Sequence, residues 1–227
     1  MKSYFMCGAY NVINSPFTDK LADQLGIDEP IETRGIRVPA SSIQIINESS
    51  EGTRQLVDAK WWLLLKNVDG ELKADYKWKT FNSKSARLRE SRLTKKPYRE
   101  SRCIIPATGF IEGQDKKYHY LQPEGQAIAF GGLFKEWYIN DEVHYSASII
   151  TLDGNPKLEN IHKKSLPLML PLDQPDTLSA WLDRGFTEID AFNDLLEPTL
   201  RTPIEATKLH GARDLTPAET PYIIDAD

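Results

Sequence analysis

Apolar positions along this chain fall in short, closely spaced runs rather than in long helical stripes. Five such runs follow one another at residues 102–105, 109–111, 118–121, 127–134 and 145–151, separated by Pro, Gly and charged residues. Runs of this length, bounded in this way, predict strands. Their close succession predicts a strongly bent, mostly antiparallel sheet or barrel. Residues 7–13, 42–47 and 55–65 read as further strands, the last carrying Trp61-Trp62, with Glu51-Gly52 as the hairpin turn before it. Helical patterning is confined to the periphery. A helix is expected from Ser15 or Thr18 to Leu25, with Pro16 at its start and Gly26 at its end. Others are expected over 83–93, ahead of the Pro97 break, and over 177–183 and 188–196. The stretch beyond Gly211 reads as a loosely tied tail. No internal repeat or linker divides the chain, so one α+β domain with peripheral helices is expected over 7–227.

Composition narrows the class. A chain of 227 residues with 40% hydrophobic and 10% aromatic content can bury a substantial core, and it is too apolar for disorder. Neither a signal pattern nor an apolar run near the ~18 residues of a membrane span is visible, so a cytoplasmic protein with no membrane partner is expected. Cys7 and Cys103 are the two cysteines, read as free thiols in a reducing compartment. With no CxxC pair or His/Cys cluster, neither a metal nor a cofactor is expected.

The net charge of -5 argues against a nucleic-acid partner until its distribution is considered. Between Lys77 and Arg102 stand ten basic residues against only Glu90 and Glu100, a local charge of +8. Tyr76, Trp78, Phe81 and Tyr98 are interleaved with them. Phosphate attraction beside stacking surfaces suits single-stranded nucleic acid. A solvated loop of snorkelling side chains reads equally well from composition alone.

Four segments carry candidate chemistry: Met6-Cys7-Gly8, Phe81-Asn82, the run from Cys103 through Pro106-Ala107-Thr108-Gly109-Phe110-Ile111-Glu112, and Ile161-His162 ahead of Pro167. Taken singly, each has an ordinary reading: a small buried hydrophobe, a turn residue, a strand-end charge, a core or capping histidine. Their order along the chain resembles the SOS response-associated peptidase family. The resemblance covers residues 7–171.

The resemblance implies a sensor of abasic sites in single-stranded DNA, acting in the SOS response to DNA damage; a monomer is the plain expectation. It also implies an enzyme that matures by autoproteolysis and has lyase-like chemistry on abasic DNA. By that resemblance Cys7, once N-terminal, is the nucleophile, its amine and thiol closing a thiazolidine on the abasic aldehyde. Asn82 holds the amine or sugar-phosphate, Glu112 handles protons at the amine, and His162 is the acid/base that opens the sugar and reverses the link. Lys84, Arg87, Arg89, Trp61, Trp62 and Lys164 are the candidate DNA-binding residues.

This chain departs from the family pattern at several positions. Residues 1–6 precede Cys7 where the family has one Met, so they are expected to be absent from the mature protein, through a start at Met6 or cleavage of the Met6-Cys7 bond. Ala9-Tyr10 follows Cys7-Gly8 where the family has Arg, Lys84 stands for another Arg, Gly113 for a Trp, and the segment from His162 to Pro167 is one residue longer. Lys for Arg keeps phosphate attraction but loses the bidentate fork. Two rival functions stay open on the sequence: a noncovalent single-stranded DNA-binding module, and a thiol peptidase using Cys7 and His162 on other proteins.

Overall fold

A computed structural model describes residues 8–227. Its N-terminal half contains β1 (Tyr10–Val12), α1 (Pro16–Gln24), β2 (Gly35–Arg37), β3 (Ser42–Glu48), β4 (Arg54–Trp61), β5 (Leu65–Val68), β6 (Glu71–Ala74), β7 (Asn82–Lys84) and α2 (Lys95–Glu100). Then come β8 (Arg102–Ala107), β9 (Gly109–Gln114), β10 (Lys117–Pro123), β11 (Ile128–Ile139) and β12 (Glu142–Asp153). The chain continues through α3 (Glu159–His162), β13 (Ser165–Pro167), α4 (Pro175–Leu182), β14 (Ile204–Gly211), β15 (Asp214–Pro217) and β16 (Tyr222–Ile224). This is the expected α+β domain: bent, mostly antiparallel sheets carry the core and short helices lie at the periphery.

Two sheets do the work. In one, β11-β8-β3-β4-β12 closes on itself because β11 also pairs β12, which makes a small barrel with β13 and β7 added on β12. In the other, β15-β14-β10-β9-β1-β2 form a curled sheet. Between them lie Tyr10, Phe110 and Phe130, each almost fully buried, with ring centroids 6.0 and 5.8 Å apart in edge-to-face pairs.

The start of α1 follows from its sequence. Ser15 and Thr18 form a reciprocal capping box and Pro16 occupies the first turn. At its end Gly26 takes φ +70°, the left-handed conformation that glycine adopts without penalty.

Elsewhere tertiary partners override the local pattern. The strand expected over 55–65 stops at Trp61, because Leu63 N–H and Leu64 N–H turn to the Thr80 backbone and hydroxyl oxygens. Leu65 then opens a separate hairpin, β5–β6, turned at Asp69-Gly70 with both residues at positive φ. The helix expected over 83–93 is instead β7, paired in parallel with β12, and one 3-10 turn over Ser85–Arg87. Residues 188–196 form two 3-10 turns in place of a helix. The tail beyond Gly211 is not loose. Strands β15 and β16 both pair the edge of β14, and the Asp227 side chain accepts from Asn155 Nδ2 and Leu200 N–H, each at 2.8 Å.

Candidate active site

Cys7 lies outside the described residues, which begin at Gly8. Gly8 is buried, the Ala9 carbonyl accepts from Ile111 N–H at 2.9 Å, and Tyr10 sits opposite Phe110. Because β1 and β9 are antiparallel, stepping back from Tyr10 toward Gly8 runs forward along β9 from Phe110 toward Glu112.

Glu112 and His162 are brought together from opposite ends of that neighbourhood. Strand alternation turns Glu112 to the same face as Phe110, where it is 3% exposed. His162, 5% exposed, comes from the last position of α3, a helix that packs on β9. Its Nδ1 lies 3.6 Å from Glu112 Oε2 and 3.2 Å from the Gly113 carbonyl. On the far side of the ring, Nε2 is 3.3 Å from Ser165 Oγ. Burial holds the His162 pKa below its ordinary value, and the charge of Lys164 adds to that, while the Gly113 carbonyl works in the opposite direction. A buried carboxyl group beside an imidazole can accept a proton at one step and return it at another.

A basic groove surrounds Asn82. Asn82 opens β7 and is half-buried; with Trp78, Lys79, Lys84, Arg87 and Arg92 it lines an open groove of about 700 Å³. Lys84 and Arg87 are exposed along it. Trp78 and Tyr76 are also exposed, at 54% and 70%, and present ring surface to solvent.

Several sequence-derived DNA contacts are placed elsewhere. Trp61 is fully buried, its indole N–H donating to the Phe81 carbonyl at 2.9 Å. Trp62 is 4% exposed, donates to the Asp75 carbonyl, and packs against Tyr76 and Phe81. Neither ring offers a free face for a base. Arg89 is held by Asp190 Oδ1 at 2.6 Å and by Asn193 Oδ1, so its charge is spent tying down the 3-10 turns. Arg102 and Tyr98, both counted in the basic stretch, are core residues. Lys164 is exposed just beyond His162. Cys103 is fully buried, and burial pushes its thiol pKa far up, which leaves it inert as a nucleophile.

Two residues of this neighbourhood were not singled out from sequence. Ser165 follows His162 by three residues, a spacing too common to stand out. His119 pairs directly opposite Glu112 across β9–β10 and is 7% exposed, its pKa lowered chiefly by burial. Strand alternation through the hairpin was the available signal for His119.

Comparison with known proteins shows the family and the fold. The family model described as SOS response associated peptidase (SRAP) matches residues 6–212. Among curated proteins, the chain is 25% identical over 231 residues to the abasic site processing protein YoqW of Bacillus subtilis, covering 97% of this chain and 100% of that one. It is 26% identical over 211 residues to the abasic site processing protein YobE of the same organism, covering 88% and 93%. Among solved structures, a protein from Bacteroides thetaiotaomicron shares the fold with a TM-score of 0.69 at 21% identity, over 90% of this chain and 92% of that one. A protein from Bordetella bronchiseptica does so with a TM-score of 0.66 at 15% identity, over 97% and 99%.

Proposed function

Because this chain belongs to the SOS response associated peptidase family, we propose that it captures abasic sites in single-stranded DNA as a covalent thiazolidine on Cys7. The observation that carries this reading is the buried Glu112–His162 pair, 3.6 Å apart, beside the point where the chain leads back to Gly8 and thence to Cys7.

The chemistry requires Cys7 to have a free amine. Translation from Met6 followed by Met removal supplies it, as does self-cleavage of the Met6-Cys7 bond; the family match opening at Met6 supports either route. Glu112 takes the proton that leaves the attacking amine, and the Glu112–His162 pair, now holding that proton, returns it to the hydroxyl that departs as water when the Schiff base forms. Addition of the Cys7 thiol to the imine carbon then closes the five-membered ring, with the thiol proton passing to nitrogen. Run backwards, the same pair opens the ring and releases the aldehyde.

The groove through Asn82, Lys84 and Arg87 is the proposed track for the strand, with Trp78 as a stacking surface. Neutralising Lys84 and Arg87 together, each to Gln, is expected to weaken binding of intact single-stranded DNA and to flatten its log–log salt slope by roughly 1.4, the contribution of two phosphate contacts. Arg89→Gln is expected to leave that slope unchanged. A slope that responds to Arg89 and not to the other two would move the track off this groove.

Protein expressed from Met6 and incubated with single-stranded DNA carrying one abasic site tests the whole reading. The expected result is a DNA-linked species that survives a denaturing gel and disappears in Cys7→Ala. Retention of intact-DNA binding with no such species, from a chain confirmed to begin at Cys7, would favour a noncovalent single-strand binder.

A further inference from the structure

We infer that Ser165 is a positioning residue that backs His162, fixing the proton of the neutral ring on Nδ1 so that this nitrogen, beside Glu112, faces the chemistry. This rests on the reading of His162 as an acid/base. The argument is one of hydrogen-bond capacity. The Gly113 carbonyl can only accept, and it lies 3.2 Å from Nδ1, with the Glu112 carboxylate at 3.6 Å. Nδ1 therefore carries the hydrogen. In the neutral ring Nε2 is then bare and needs a donor, which the Ser165 hydroxyl provides at 3.3 Å.

Both members are buried, His162 at 5% and Ser165 at 7%, so bulk solvent does not stand in for that donor. Among the described residues, the charged groups facing the ring are Glu112 from β9 and Lys164 from the segment following α3. Burial and Lys164 favour the neutral form that Ser165 is oriented to serve. Ser165 is itself held in place, since β13 pairs β12 with Ser165 opposite Asp153. The result is a line of polar groups running from Ser165 through His162 to Glu112, in which the hydroxyl orients the ring and the carboxylate meets the reacting amine.

Nitrogen-detected NMR of the His162 ring tests this without reference to DNA. In the native chain at neutral pH, Nδ1 is expected to carry the proton and Nε2 to be bare and hydrogen-bonded. Ser165→Ala is expected to shift the Nε2 signal, and Ser165→Thr to restore it by returning a hydroxyl. Crosslinking by Ser165→Ala is expected to slow by about tenfold, the loss of one net hydrogen bond, with an altered pH profile and unchanged affinity for intact DNA. A native ring protonated on Nε2 instead of Nδ1, or an Nε2 signal indifferent to Ser165→Ala, would overturn the assignment. Because the native tautomer is read on its own, an alanine variant that fails to fold leaves the test intact. Absence of crosslinking in every variant, with the expected ring signals, would count against the covalent function and not against Ser165.

Discussion

Glu112→Gln is expected to slow formation of the abasic-site crosslink by about 10²- to 10⁴-fold, the range that a positioned acid or base contributes. Affinity for intact single-stranded DNA should be unchanged. The substitution is nearly isosteric, so it removes the capacity to take up a proton while retaining volume and hydrogen bonding at a position 3% exposed. His162 would lose the carboxylate that lies 3.6 Å from its Nδ1. Single-turnover rates across pH separate the two contributions. The Gln variant should gain rate as pH rises and the Cys7 amine deprotonates unaided, whereas the native protein should depend on pH less steeply. A variant that crosslinks at the native rate would remove Glu112 from the proton path and leave His162 without its proposed partner.

The second large effect concerns stability. Arg102→Ala is expected to cost about 3–5 kcal/mol, the penalty for breaking a buried, hydrogen-bonded charge. Arg102 is 1% exposed, and its guanidinium meets no carboxylate within ion-pair distance among the described residues. Instead Nε donates to the Trp181 carbonyl at 2.7 Å, Nη1 to Tyr98 and Arg99 at 2.8 and 2.6 Å, and Nη2 to Ala180, Asp183 and Phe186 at 3.3, 2.7 and 2.9 Å. These carbonyls belong to the C-terminal ends of α2 and α4 and to the segment after α4, where helices leave acceptors without intrahelical donors. The rings of Trp181 and Phe192 lie 5.9 and 5.1 Å from the guanidinium carbon and add cation–π attraction. Burial draws the Arg102 pKa down to about 10, still well above neutrality, so the charge persists. Urea unfolding should show a lower midpoint with an unchanged slope. A loss below about 1 kcal/mol would mean that water or a shifted helix end satisfies those carbonyls.

Arg102 also illustrates what the sequence could and could not reveal. It sits in a stretch whose charge reads as surface, and only the three-dimensional arrangement of helix ends shows that one member of that stretch serves the core. Trp61 and Trp62 failed in the same direction: adjacent aromatics next to a basic segment suggest stacking on bases, but strand alternation in a barrel and the turn toward Thr80 bury both. Arg89 fell to a partner 101 positions away, Asp190, which no local pattern announces.

Where the determinants are local, the sequence was sufficient. Ser15, Pro16 and Gly26 define α1 through capping and backbone preference. The closely spaced runs from Arg102 to Thr151 became β8 to β12, since Pro, Gly and charged turns between apolar runs leave few alternatives to hairpins. The β5–β6 hairpin was missed although Asp69-Gly70 is a strong turn signal, because the apolar flanks around it are short. Glu112 and His162 were singled out through family order, and the fold places them 3.6 Å apart. The contacts of His162 with Ser165 and Gly113 depend on register and helix packing, which sequence spacing does not encode.

Intact mass of the covalent complex tests the central claim most directly. Native protein and a single-stranded oligonucleotide of known mass with one abasic site should give one adduct, equal to the chain from Cys7 plus the oligonucleotide less one water, and that adduct should be absent in Cys7→Ala. An adduct retaining Met6 or any earlier residue would contradict capture through the Cys7 amine. So would a corresponding adduct of the Cys7→Ala chain, again that chain plus the oligonucleotide less one water.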